Sequence, residues 1–202
     1  LCRFDFSKSI LTSINGADRW AAMVLGSVKL GPNNRLYGQF TRSESKDLFE
    51  AQPAPGAYVD SLGQTVRARF MQPGPRTTNR KASLDHVVLG SDGTFGKIDY
   101  DVAFGQGISK VTNSDKNYVA TDLFVAAIND GSIDPTRTDN PEALIDAIRL
   151  TPKRAGKSVT RFVDGKVSGP ILDLPGGPLQ YAVGFQLVKE SLTDRPDAQS
   201  QA

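Results

Sequence analysis

The sequence has one cysteine, Cys2, and one histidine, His86, among its 202 residues. A lone cysteine forms no internal disulfide and no multi-cysteine metal site. A lone histidine leaves no imidazole cluster for zinc, so His86 is expected as an ordinary side chain on a strand face. Charge of one sign is also lacking, since Lys and Arg total 24 and Asp and Glu total 22, a formal net charge of +2. That balance argues against nucleic acid as a partner, which needs a basic face. No run approaches the roughly 18 apolar residues of a membrane helix, a test that says nothing about membrane strands. No charged segment followed by an apolar one marks a signal peptide. The sequence starts at Leu1, its first methionine is Met23, and residues from Asp194 to Ala202 end without a terminating feature. The expectation is a piece of a longer reading frame.

Glycine and proline are plentiful, 19 and 12 residues, and they punctuate segments of two-residue periodicity. Trp20, Ala22, Val24, Gly26, Val28 and Leu30 share one parity, against Arg19, Ala21, Met23, Leu25, Ser27 and Lys29, a strand pattern. Gly31-Pro32-Asn33-Asn34 turns the chain, and Leu36, Gly38 and Phe40 then alternate with Arg35, Tyr37, Gln39 and Thr41. Arg80 to Asp92 reads as a third strand, followed by a turn over Gly93 to Gly96. In the fourth, Ile98, Tyr100, Val102 and Phe104 oppose Lys97, Asp99, Asp101 and Ala103. In the fifth, Val159, Val163, Val167 and Ile171 share a face. After Leu174-Pro175-Gly176-Gly177, Leu179, Tyr181, Val183, Phe185 and Leu187 alternate with Gln180, Ala182, Gly184, Gln186 and Val188.

The fold class read from this pattern is all-β: antiparallel up-and-down hairpins forming part of a transmembrane β-barrel, about six strands of about 11–15 residues. Short turns alternate with two long connections, Asp47–Asn79 and Thr112–Gly156. Outer-membrane barrels have short turns on one side and long loops on the other. In the first connection, Pro53-Ala54-Pro55-Gly56 and Pro73-Gly74-Pro75 argue against regular structure. In the second, two short helices are expected: Thr121 to Ile128, and Ala143 to Arg149 with Asn140 as N-cap and Pro141 at the first helical position. Arg42, Glu44 and Arg161 fall in apolar parity, near the long-loop ends. A charge costs about 2–4 kcal/mol at mid-bilayer but about 0–1 kcal/mol near the interface, so those ends should be interfacial. Trp20, Tyr37, Tyr100 and Tyr181 are candidates for an aromatic girdle.

Catalytic and binding motifs are weak. Gly156-Lys157-Ser158 resembles the end of a phosphate loop, but Thr151 stands where the first glycine belongs. Asp99 and Asp101 have same-face spacing, and solvated acids are the plainer reading. Asp130, Asp134 and Asp139 do not match an EF-hand. With one histidine and no nucleophile elbow, no Ser-His-Asp set forms. The reading is therefore not an enzyme, with no catalytic, metal or cofactor site and no cofactor.

Several segments together resemble the barrel region of TonB-dependent receptors. They are Arg3-Phe4-Asp5-Phe6, Asp18-Arg19, the Val28–Thr41 hairpin, Gly74-Pro75-Arg76-Thr77 and Gly96-Lys97-Ile98-Asp99-Tyr100-Asp101-Val102. The most specific is Lys166 to Pro178, with its Ser168-Gly169 and Leu174-Pro175-Gly176-Gly177-Pro178, continuing through Ala182-Val183-Gly184-Phe185-Gln186. Gln186 and Leu187 depart from the Glu and Tyr usual there. The resemblance implies a barrel of roughly 22 strands with a plug domain. It also implies an outer-membrane location and energised uptake of a siderophore, vitamin, sugar or similar nutrient. Its implied partners are outer-membrane lipid, an extracellular nutrient ligand, and TonB with ExbB and ExbD through the full-length protein. Residues 1–202 would be one partial barrel domain, with the plug, the TonB-contact segment and the C-terminal strands absent. A soluble β-barrel or sandwich binding a small ligand is the alternative.

Overall fold

The computed structural model describes residues 14–59 and 63–200. Cys2 and the Arg3–Phe6 segment lie outside the described residues. Strand β1 is Gly16–Lys29, β2 is Asn34–Ala51, β3 is Pro55–Val59 and β4 is Thr65–Arg69. Then come β5, Arg76–Phe95; β6, Ile98–Lys116; and β7, Tyr118–Val119. Helices α1, Thr121–Asn129, and α2, Glu142–Ile148, precede β8, Arg149–Leu150; β9, Lys153–Leu174; and β10, Gly177–Pro196. A 3-10 turn at Ala198–Ser200 follows.

Six strands form one antiparallel sheet in the order β1-β2-β5-β6-β9-β10. Each neighbour is the next long strand along the chain, as in an up-and-down meander. Three tight turns therefore lie at one end, and the connections 52–75 and 117–152 at the other. Gly31 and Gly96 hold φ of +76° and +65° in two of these turns, a left-handed backbone that glycine adopts without a Cβ penalty. The Leu30 amide also donates to the Asn34 carbonyl at 2.8 Å, closing the first turn. Among the described residues β1 and β10 do not pair with each other, so the sheet is open along both strands.

The strands are longer than their apolar alternation suggests, 14 to 22 residues. Pairing continues through polar stretches such as Arg42–Ala51 and Val111–Lys116, where cross-strand hydrogen bonds need no apolar side chain. The long connections are shorter in consequence, and β5 runs through Gly93 to Phe95, so that turn centres on Gly96 and Lys97. The proline-rich first connection does hold regular structure: β3 and β4 pair, and Pro55 is the first residue of its strand, where no ladder donor is required. Pro73-Gly74 is a turn, as expected. The register shifts between Leu179 and Gln180, which face Leu172 and Pro170. Ile171 is the extra residue of this bulge, so the parity of β9 changes there and Ile171 does not continue the row of Val159, Val163 and Val167.

The core does not lie in the sheet. Phe70, Phe124, Ile133, Ile145 and Ile148 are buried together, with Val119, Ala127, Ile128 and Leu144 against them. All belong to the two long connections, which fold into one cap at their end of the sheet. The rings of Phe70 and Phe124 lie 4.7 Å apart across the two connections. Gln72 and Asn140 bond reciprocally: the Gln72 amide donates to the Asn140 carbonyl at 2.8 Å, and the Asn140 amide nitrogen donates to Gln72 Oε1 at 3.0 Å. Asn140 is thus the tie between the connections, not a helix cap. Pro141 stands at the α2 N-cap with no side-chain bond.

Candidate functional site

Register divides the sheet into two chemically distinct faces. One carries Val24 and Val28 of β1, Leu36 and Phe40 of β2, and Val87 and Leu89 of β5. It continues through Val102 and Phe104 of β6, Val163 and Val167 of β9, and Val183, Phe185 and Leu187 of β10. All but the half-buried Val87 are open to solvent despite their chemistry; Leu187 is 68% exposed, Val24 65% and Val183 63%. From Leu179 to Leu187 the band climbs about 27 Å along β10 at roughly 3.4 Å per residue. Tilted by about 40°, that is about 20 Å of height, near the apolar belt of about 25 Å on membrane barrels.

The charged residues expected at the margin of this face are there, and they are partnered. Arg42 follows Phe40 and donates to Glu44 Oε1 at 2.7 Å and to Asp85 Oδ1 at 3.3 Å. Arg161 Nε donates to Gln106 Oε1 at 2.8 Å. Tyr100 and Tyr181 lie on the apolar face toward the short turns, and Trp20 lies on it toward the cap. Tyr37 does not. Its odd position in β2 turns it to the opposite face, so it cannot belong to a girdle on the apolar side.

The opposite face carries a bonded polar network, beside the exposed apolar side chains of Met23, Leu25, Leu84, Val188 and Leu192. Near the short turns, Arg35 forms a bidentate pair with Asp92, and its guanidinium lies 5.7 Å from the centre of the Tyr37 ring. The Tyr37 hydroxyl donates to Asp101 at 2.8 Å, and Lys166 lies 3.4 Å from the same carboxylate. Asp99 accepts from the Thr94 hydroxyl at 2.8 Å. The two acids of the Asp99–Asp101 pair are thus each held by other groups. His86 lies farther along this face, stacked on Phe162 at 6.5 Å between ring centres. Toward the cap come Arg19 with Asp47 at 2.9 Å, Thr78 donating to Asp115 at 2.6 Å, and Arg154 paired with Asp194. Such a surface can offer hydrogen bonds and both signs of charge to a polar solute.

The cap closes over the same end. Thr136 donates to Asp134 from its hydroxyl at 2.6 Å and from its backbone at 2.9 Å. Those bonds favour the carboxylate and lower its pKa, the hydroxyl bond most. The Arg137 side chain does the same for Asp139, at 2.8 Å. Asp134 and Asp139 therefore shape the loop, and Asp130 accepts from the Ser132 backbone at 2.9 Å. Among the described residues no group of three or more His, Cys, Asp or Glu gathers around a metal position. The Gly156-Lys157-Ser158 segment is extended and paired on both sides within β9.

No single-sequence signal marks the contacts that build the polar face. Tyr37 lies over Gly90 and Phe162 over Gly105, pairs 53 and 57 residues apart that only the register brings together. Compared with known proteins, the chain matches no family model and no curated sequence.

Proposed function

We propose that this chain is part of the wall of an outer-membrane β-barrel of the TonB-dependent receptor type, serving uptake of an extracellular nutrient. The observation that carries the reading is the exposed apolar face spanning all six strands, backed by a face that carries the sheet's polar network. Each large side chain of that band gains about 1.5–3 kcal/mol on leaving water. Nothing in the described chain covers them, and hydrocarbon is a solvent that would. The segregation of tight turns from long connections supports the same reading. The polar face would line the lumen, and the cap built from 52–75 and 117–152 would meet the nutrient on the outside. Transport would require the plug and the energised TonB–ExbB–ExbD partners of a whole receptor. A soluble ligand-binding barrel or sandwich instead needs apolar side chains packed inside, whereas among the described residues only Ala103 of the apolar side chains in the six-stranded sheet is buried.

The sequence contains one tryptophan, and Trp20 sits on the apolar face. Mixed with phosphatidylcholine vesicles, the chain should show blue-shifted tryptophan emission. That emission should be quenched by lipid brominated along its acyl chain and shielded from acrylamide. Emission quenched by acrylamide and untouched by brominated lipid would overturn the assignment.

A further inference from the structure

Just beyond the apolar band, on the same face and toward the cap, the side chains become cationic. Lys110 of β6, Lys157 and Arg161 of β9, and Lys189 and Arg195 of β10 all point to this face and are exposed. On these three strands the face carries no carboxylate over Gln106–Lys116, Lys153–Arg161 and Lys189–Arg195, because Asp115, Glu190 and Asp194 have the opposite parity. Two cation pairs stand directly across from one another, Lys110 with Lys157 and Arg161 with Lys189. Like charges opposed across strands are destabilising unless something neutral or negative intervenes. Among the described residues, the ion pairs on this face, Arg42 with Glu44 and with Asp85, leave all of these five out. A groove of 290 Å³ on the adjoining strands is lined by Lys46, Lys81 and Lys110 and by Glu44, which Arg42 holds, with Asp18 across from Lys46. On the polar face, by contrast, Arg35, Arg19 and Arg154 each hold a carboxylate.

We infer that this cationic row is a docking surface for the phosphate groups of anionic lipid in the leaflet bordering the cap. The inference rests on the membrane-barrel reading and adds the lipid class. A cation immediately above hydrocarbon meets the headgroup layer, where phosphate oxygens accept its hydrogen bonds and neutralise the opposed pairs. The continuity of the row with the apolar band places both in one lipid contact. The sign of the charge selects anionic over zwitterionic headgroups.

The test is flotation of the full chain with vesicles of phosphatidylcholine alone and of an equal mixture of phosphatidylcholine and phosphatidylglycerol. The wild-type chain should prefer the mixed vesicles, and the preference should shrink as salt screens it. The variant Lys110→Gln/Lys157→Gln/Lys189→Gln should lose roughly 100-fold in affinity for the mixed vesicles, at about 1 kcal/mol per cation, and keep its affinity for phosphatidylcholine. A control with the same charge loss elsewhere, Lys29→Gln/Lys97→Gln/Lys166→Gln, should retain the preference. Equal partition of the wild type into both vesicles, or an equal loss in the control, would overturn this inference and leave the barrel reading standing. Failure to enter either vesicle would overturn both.

Discussion

Gly105 and Phe162 face each other across β6 and β9, and the phenyl ring occupies the space a side chain would take. A Cβ on Gly105 would stand 2.1 Å from Phe162 Cε1, and one on Gly90 would stand 2.3 Å from Tyr37 Cζ. Both glycines exist to let an aromatic ring lie flat on the neighbouring strand. That restores the packing that a glycine in a strand forfeits. Gly105→Val should therefore destabilise the chain in lipid or detergent by about 1–3 kcal/mol through overpacking. Adding Phe162→Ala should recover part of the loss, read as a shift in the urea midpoint. If the single and double variants unfold at the same midpoint, the ring contact does not govern this site.

At the scale of elements, the cap and the sheet are built on different physics. The cap has an ordinary aliphatic and aromatic core under two short helices, and the sheet has ladder hydrogen bonds with both faces open. Ile145 is fully buried between the two connections. Ile145→Ala should cost the cap about 2–5 kcal/mol from lost transfer energy and the cavity left behind. Hydrogen exchange should show protection lost across α1, α2 and β3–β4 and retained in β9, since few contacts link the cap core to the ladder. Uniform loss of protection would contradict that division.

The same element carries a pH dependence. Asp134 and Asp139 have folded pKa values below their ordinary range, lowered by Thr136 and Arg137. A depressed folded pKa contributes stability that is complete above the unfolded value, near 3.9, and is lost as pH falls through the folded value. Cap protection should stay level from about pH 8 to about pH 5 and decline below about pH 4. Exchange measured across that range checks it. A decline already beginning at neutral pH would point to groups other than these two.

For the whole molecule, the open sheet is the governing fact. Among the described residues, strands β1 and β10 each present an unpaired side, and both are exposed almost throughout. Long apolar edges template further pairing, so the lipid-free chain should self-associate with rising concentration, seen by light scattering or sedimentation. Lipid or detergent should suppress this by covering the apolar band. A monodisperse lipid-free monomer at high concentration would show that the faces and edges are satisfied some other way.

Legibility in the sequence differed from residue to residue for identifiable reasons. The alternation of Leu179, Tyr181, Val183, Phe185 and Leu187 announces both a strand and its apolar side, because strand periodicity is a local property. Helix α1 is equally plain in the spacing of Leu123, Phe124, Ala127 and Ile128. The polar halves of β2, β5 and β6 were not legible, since Arg42–Ala51 pairs through backbone groups that every residue type carries. Tyr37 looked like a girdle aromatic from its place near a turn, although its alternation with Leu36 and Phe40 already set it on the other side. Asn140 looked like a cap because its partner, Gln72, is 68 residues away.

By itself, then, the sequence determined what is local: the strand periods, the turn glycines, the two-faced chemistry and the alternation of short and long connections. Each follows from the stereochemistry of neighbouring residues. Only the tertiary structure decided how the faces line up. Register joined the separate apolar stripes into one band and put Lys110 against Lys157 and Arg161 against Lys189. It also joined two distant connections into a single cap around Phe70 and Phe124. Those are relations between segments far apart in the chain, and such relations exist only once the backbone ladder has set which residue stands opposite which.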